Sequence, residues 1–261
     1  MSAVDSPRMW RGIWPLAILL FLFLVWEVSV RLADTPGWML PPPSAILESF
    51  RTDYRLLLQH TRVTLIEVLL GFGLALVTGL VTGIAIDSSR ILERAIYPLI
   101  IASQTIPMVA LAPLMLIWFG YGLVPKILIT ALVGFFPIAV NSVDGLRSAD
   151  REVIALLRSM GASRWTRFTI ARVPAALPLI FSGARVAITF CVIGAVFSEL
   201  VGSSEGLGYL MQRAASQFQT ARVFASIFIL AIMGIGLFAL VTLIERLVLP
   251  WRRFVTDARQ Q

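Results

Sequence analysis

Apolar residues run without a charge from Gly12 to Trp26, Val68 to Ile86, Ala95 to Pro125, Ile127 to Val143 and Val223 to Ile244. A helix needs about 20 mostly apolar residues to cross the hydrocarbon core of a bilayer. With a few flanking residues, the pattern predicts six spanning helices, near 12–30, 61–85, 95–118, 124–142, 177–200 and 222–248. The fifth is the least apolar: Gly183 and Arg185 interrupt it and Glu199 ends it. The runs are continuous rather than alternating, which excludes a membrane β-barrel. Too little polar sequence remains to cover a soluble helical core of this size. The first run follows Arg8 and Arg11 but has no small-x-small exit, so it reads as a retained anchor rather than a cleaved leader.

Composition agrees with a membrane protein. Of the 261 residues, 58% are hydrophobic and 14% charged, against about one quarter charged in soluble domains. The net charge of +7 reflects loop arginines rather than a nucleic-acid surface. An even number of spans puts both termini on one side. That side carries Arg8, Arg11, Arg90, Arg94, Arg147, Arg151, Arg158, Arg164, Arg167, Arg172, Arg246, Arg252, Arg253 and Arg259. The opposite side carries Arg31, Arg51, Arg55, Arg62, Lys126, Arg213 and Arg222. The positive-inside rule therefore places both termini and the loop 145–178 in the cytoplasm. Cys191 alone provides no disulfide or metal framework. His60, at the start of a span, reads as an interfacial residue.

Outside the spans, Leu40-Pro-Pro-Pro-Ser44 is stiff and extended. The spacing of Ile46, Leu47, Phe50, Tyr54 and Leu57 predicts a short amphipathic helix from Pro43 to near Leu58, lying on the membrane surface or the core. Within the spans, Gly79 and Gly83 form a small-xxx-small face. Pro98, Pro107 and Pro113 predict kinks in the third helix. Polar residues at membrane depth favour a bundle interior or a cavity. Candidates to line a translocation path are Gln104, Thr105, Met108, Asn141, Arg185, Thr189 and Glu199, with Glu67 and Asp144 beside them. Arg185 either attracts an anion or pairs internally with Glu199 or Glu67. Trp118 and Tyr121 read as interfacial belt residues. The glycines at 202, 206 and 208, with Glu205, predict a loop folded over the outer gate.

The loop 145–178 is the one long polar segment after residue 100. Val153, Ile154, Leu156, Leu157 and Met160 recur at three and four, predicting an amphipathic helix over 149–160. Ser148 or Asp150 caps it, Glu152 suits its first turn and Gly161 stops it. A second helical stretch begins near Ser163, and Pro174 and Pro178 mark the turn into the fifth span. Such a unit either docks a partner or lies on headgroups with its arginines against anionic lipid.

This loop resembles the cytoplasmic signature of the integral-membrane subunits of binding-protein-dependent ABC importers: Glu-Ala-Ala, three residues, Gly, nine residues, Ile, one residue, Leu-Pro. Gly161 and Pro174 match, with Ala171 at the isoleucine and Val173 at the leucine. Ala155, Leu156 and Leu157 stand at the Glu-Ala-Ala positions, so the signature acid is absent there, and Glu152 lies one turn earlier. Leu40–Ser44, Gln104–Pro107, Ala112–Gly120, Phe136–Gly145 and Glu199–Leu210 extend the resemblance to the nitrate, sulfonate, taurine, bicarbonate, thiamine-precursor and riboflavin permeases. The resemblance implies an all-α integral membrane protein of six transmembrane helices with a type I ABC importer permease fold and a cytoplasmic coupling helix. It implies a tail, first span and external linker over 1–60, a permease core over 61–250 and a cytoplasmic tail over 251–261. Asp150, Glu152, Ala155, Leu156, Leu157, Met160, Gly161, Ala162 and Arg164 would contact ATPase subunits. The partners implied are two cytoplasmic ATPases, an extracytoplasmic solute-binding protein and a second copy of the permease, in the bacterial inner membrane.

The chain contains no Gly-x-x-x-x-Gly-Lys-Ser/Thr loop, so ATP and Mg belong to the partner ATPase and this chain binds no cofactor or metal. A membrane-embedded enzyme would need paired acids, histidines or a Ser/Lys pair at one depth, which the sequence does not supply. An ion-coupled secondary transporter would show inverted repeats, and none is evident. The solute expected is a small anion such as a sulfonate, taurine or nitrate. The alternative is a neutral heterocycle such as riboflavin or a thiamine-precursor pyrimidine.

Overall fold

The structure, a computed structural model, describes residues 10–250; the side chains of residues 10–13, 108 and 109 are outside that description. Arg8, Arg252, Arg253, Arg259 and the Arg11 side chain therefore lie outside the described residues. Every regular element among the described residues is helical: α1 (Trp10–Leu32), α2 (Pro43–Thr52), α3 (Tyr54–Ser88), α4 (Arg90–Ser103), α5 (Met108–Phe119) and α6 (Leu123–Arg147). They continue with α7 (Arg151–Ser159), α8 (Arg164–Arg167), a π-helical turn (Phe168–Arg172), α9 (Val173–Gly202), α10 (Leu207–Ser216) and α11 (Thr220–Val248).

Five helices among the described residues are long and apolar enough to cross a membrane: Trp14–Leu32, Tyr54–Ser88, Leu123–Arg147, Arg164–Gly202 and Thr220–Val248. The expected span at 95–118 differs. It divides into α4 and α5 at the turn Gln104–Pro107. Pro107 lacks an N–H and disfavours α conformation in the residue before it. Its own backbone is extended, with φ −63° and ψ 110°. The proline expected to kink a helix therefore breaks it. At 12 residues, α5 is about 18 Å long, well short of the hydrocarbon thickness. Pro174 and Pro178 have the opposite outcome. Pro174 sits in the first turn of α9, where a missing N–H costs little, and the helix runs on through Pro178. The short helix expected from Pro43 to near Leu58 stops at Thr52, where Asp53 is the C-cap, and α3 starts at Tyr54.

The chain forms two compact units. Among the described residues, the first comprises residues 10–59 together with Leu210–Phe228. In it, Phe23 packs on Phe228 and Trp26 on Phe224. Glu27 accepts hydrogen bonds from the Ser44 backbone N–H (3.0 Å) and hydroxyl (2.9 Å). Arg222 grips both oxygens of Asp53, each at 2.9 Å. That fork holds the Asp53 carboxyl below the usual carboxylate range, against the opposing effect of partial burial.

The second unit comprises His60–Tyr209 and the chain from Ile229 onward. Its core is built on α3, α6 and α9, which approach through small residues. A Cβ at Gly79 would lie 2.7 Å from Ile138 Cγ2, and one at Gly83 2.5 Å from Ser142 Cβ. From α6, Gly134 faces Cys191 and Ala75; from α9, Gly183 faces Asn141 and the Pro137 carbonyl. Without lipid-excluding hydrophobic force, such close approach supplies the packing energy between membrane helices. The small-residue face of α3 extends beyond Gly79 and Gly83 to Gly71, which meets Thr130. Val68, Ile188, Cys191, Ala195 and Val241 fill the space beside these contacts.

Candidate functional site

Two polar constructions stand at opposite ends of the second unit, one set by local capping and the other by contacts between distant parts of the chain. The first is the segment from Ser148 to Arg172. Asp150 caps α7 by accepting the Glu152 N–H at 2.8 Å. Glu152 lies in the first turn and Arg158 in the last, both complementing the helix dipole. At the other end Gly161 has φ +78°. Its N–H bonds to the Arg158 carbonyl and that of Ala162 to the Leu157 carbonyl, which together make a Schellman cap. Ser163 then caps α8 through the Thr166 N–H at 3.1 Å.

The apolar stripe of α7 is not buried. Val153, Leu156 and Met160 are 45%, 60% and 74% exposed. Ala155, Glu152, Asp150 and Arg164 are also exposed, while Leu157 and Ala162 are half-buried. Charge pairs and close packing fasten the segment to the bundle. Arg147 pairs with Glu93 at 2.9 Å, and Arg172 with Asp87 at 2.5 Å. Gly145, near the end of α6, packs directly on Ala176, near the start of α9. A small helix with an open apolar ridge thus stands between two anchored points of the chain, Arg147 before it and Arg172 after it.

The second construction is a buried cluster of charge at the far ends of the same helices. Lys126, at the start of α6, donates to Glu67 at 2.8 Å and to the Ser203 hydroxyl at 2.6 Å. Beside Glu67 lies Glu199, whose carboxylate accepts from the Thr64 hydroxyl at 2.6 Å and the Gly208 N–H at 2.5 Å. Thr64 in turn accepts from the Leu207 N–H at 2.9 Å. His60 Nδ1 accepts from the Gly206 N–H at 2.9 Å, so that nitrogen carries no proton in this arrangement. Glu67, Glu199, Thr64, His60 and Lys126 are all buried. The cluster holds residues 203–208, the loop between α9 and α10 and the start of α10, against α3 and α6. Gly206 has φ +110°, and a Cβ there would strike the Glu199 carboxylate; one at Gly208 would lie 2.8 Å from the Val196 carbonyl.

Lys126 reads from the sequence as an external loop charge and His60 as an interfacial residue, yet both belong to this cluster. The signal for it was the pair of acids within apolar runs, since a buried carboxylate requires donors. The sequence does not say which donors, because Lys126 is 59 positions from Glu67.

The remaining candidates are dispersed. Gln104 and Thr105 are exposed in the turn between α4 and α5, with the Thr105 hydroxyl bonded to the Ala102 carbonyl. The Met108 side chain lies outside the described residues. Asn141 donates to the Pro137 carbonyl at 2.8 Å. Arg185 pairs with Glu245 at 2.7 Å, a partner other than Glu67 or Glu199. Thr189 bonds back to the Arg185 carbonyl. Gln104 and Thr105 are neighbours in one turn, and Thr189 is one helical turn from Arg185. Among the described residues, no group of three or more His, Cys, Asp or Glu is placed to hold a metal ion.

Comparison with known proteins identifies the class. The profile of binding-protein-dependent transport system inner membrane components matches residues 75–253, and the chain belongs to that family. The formylaminopyrimidine transport permease ThiX of Halalkalibacterium halodurans is 39% identical over 94% of this chain and 98% of its own length. The riboflavin transport system permease RibX of Chloroflexus aurantiacus is 40% identical over 94% of this chain and 95% of its own. The aliphatic sulfonates permease SsuC of Bacillus subtilis is 34% identical over 88% and 84%. Inward-facing structures of the MetNI methionine ABC transporter share the fold, with TM-scores of 0.56 and 0.58 at 20% identity, over 72% and 73% of this chain and 97% and 98% of theirs. The protein is an all-α, multi-span permease subunit of an ABC importer, working in a bilayer with an ATPase and a solute-binding protein.

Proposed function

We propose that α7 is the coupling helix through which a cytoplasmic ATPase drives this permease. The observation that carries the reading is the open ridge of Val153, Leu156 and Met160 on a capped helix that follows α6 directly in the chain and precedes the turn into α9. A partner seated on that ridge moves the two helices together, as alternating access requires. Asp150, Glu152, Ala155, Leu157, Gly161, Ala162 and Arg164 frame the contact. With Ala155 at the signature acid's position, the interface depends on apolar contact and on arginine rather than on that acid. Both termini lie in the cytoplasm of a bacterial cell, the sixth crossing is supplied by the broken pair α4–α5, and two copies of the chain face each other. The path between them draws on Gln104, Thr105, Met108, Asn141, Arg185, Thr189 and Glu199. The test is co-purification of the cognate ATPase with a Leu156→Asp, Met160→Asp variant. Loss of the ATPase from a permease of unchanged melting temperature supports the reading; full retention refutes it.

The solute proposed is a neutral heterocycle of the pyrimidine or flavin type rather than the small anion. Relatives named for formylaminopyrimidine and riboflavin are 39% and 40% identical, against 34% for a sulfonate permease and 31% for a taurine permease. The pairing of Arg185 with Glu245 also leaves that arginine a weak lure for an anion. Thermal-shift titration of the cognate binding protein with riboflavin, a formylaminopyrimidine and taurine decides between them. A shift with taurine alone restores the anion.

A further inference from the structure

Beside α7, on the side away from its open ridge, lies a cleft of about 640 Å³. The last turns of α3 border it through Ile84 and Asp87, and the loop borders it through Arg158, Arg164, Trp165 and Arg167. On a helix of 3.6 residues per turn, positions 154 and 158 lie on a different face from 153, 156 and 160. The cleft and the ridge are thus separate surfaces of one helix. Charge in the cleft is unbalanced. Arg172 also borders it but is held by Asp87 at 2.5 Å. Among the described residues, Arg158, Arg164 and Arg167 have no salt bridge; Arg167 only reaches the Ser163 carbonyl at 3.4 Å.

The position of the cleft narrows what such a basic site would hold. α3 is an apolar helix of 35 residues ending at Ser88; at about 52 Å it outruns a hydrocarbon core of about 30 Å, so its last turns reach the headgroup level. Arginine and tryptophan are the residues suited to that level. Trp165 is exposed and stacks on Phe168. Guanidinium groups grip phosphate oxygens in pairs, while Ile84, Ile154 and Trp165 offer apolar surface for a glycerol and acyl chain. A free anion would use only the first of these features. We infer that the cleft seats the phosphate of an anionic phospholipid, bound beside α7 rather than on the ridge assigned to the ATPase.

The test uses full-length permease in mild detergent, titrated with phosphatidylglycerol or phosphatidylcholine, with bound lipid counted by native mass spectrometry. Arg158→Gln with Arg167→Gln should weaken phosphatidylglycerol binding by about 30-fold, or about fivefold per arginine removed, and leave phosphatidylcholine unchanged. Arg158→Gln alone should cost about fivefold. Arg94→Gln with Arg246→Gln changes the net charge equally but lies outside the cleft, and should change nothing. Equal losses in the two double variants would overturn the site in favour of diffuse surface charge. Displacement of the lipid by millimolar inorganic phosphate would overturn the lipid assignment. Unchanged lipid binding with loss of the ATPase would assign these arginines to partner docking instead. The Leu156→Asp, Met160→Asp variant should keep its lipid, which separates failure of this inference from failure of the coupling reading.

Discussion

The two ends of the second unit solve opposite problems. At one end, α7 carries no buried residue and presents an apolar ridge to its surroundings, while its charges lie at its margins. At the other, Glu67, Lys126 and Glu199 are buried, and residues 203–208 are closed over them by backbone N–H groups. An exposed apolar ridge is stable only with a partner over it. A buried set of charges is stable only when its donors and acceptors are matched within the chain. The first end leaves apolar surface uncovered, as the proposed coupling reading needs, and the second keeps its charges inside the chain. The glycine-packed helices between them are what would carry motion from one to the other.

The comparison is broken most severely at Lys126. Lys126→Met leaves Glu67 buried without its cation and should cost about 3–5 kcal/mol, read as a fall in melting temperature in detergent. Adding Glu67→Gln should recover much of that loss, because the pair is then removed together; no recovery would show that Lys126 acts through Ser203 instead. Next is the connection between the ends. Gly79→Val would force α3 away from Ile138 and should cost about 1–3 kcal/mol, with transport falling even where the protein still assembles with its ATPase. Gly161→Val acts at the open end only. It should strain the left-handed residue by about 1–2 kcal/mol and weaken ATPase association, while Gly161→Asn should be milder. Equal effects of valine and asparagine would mean that the Schellman cap does not set the pose of α7.

The smallest effect gives a yardstick for the buried pair. Asp53 and Arg222 form a partly exposed pair in the first unit, screened by solvent, and Asp53→Asn should cost under about 1 kcal/mol. Because Arg222 lowers the Asp53 pKa from its usual value of 3.8, the stabilisation is complete above that value. It is lost as pH falls below it, through the lower folded-state pKa. The gap in melting temperature between the wild type and the Asn variant should therefore hold from pH 6 to about pH 4 and narrow below it. A constant gap would show that the pair acts by packing rather than charge.

Much of this architecture is legible in the sequence because the bilayer reduces the choice of structure to a few long helices. The apolar runs locate four of the five long helices to within several residues; the helix ending at Gly202 starts at Arg164, well before the expected 177, because the chain stays helical through Pro174 and Pro178. Asp150, Gly161 and Ser163 place the caps of α7 and α8, since capping depends on neighbours only a turn away. Proline was harder to read. Pro107 breaks a helix and Pro178 does not, because the outcome depends on whether neighbouring helices hold the chain in line. The arginine of the fifth span was visible, but its partner Glu245 was not, since 60 residues separate them.

The sequence by itself determined that this is a many-helix membrane protein with a capped, arginine-rich loop helix between its spans. Hydrophobic length and capping chemistry are local and need no third dimension. Packing in three dimensions is what brings Lys126 and His60 to Glu67 and Glu199, turns Gly71, Gly79 and Gly83 onto α6, and closes the basic cleft between the end of α3 and the loop. Pairing of buried charge and close approach of helices depend on residues far apart in the chain, which meet only when the helices pack.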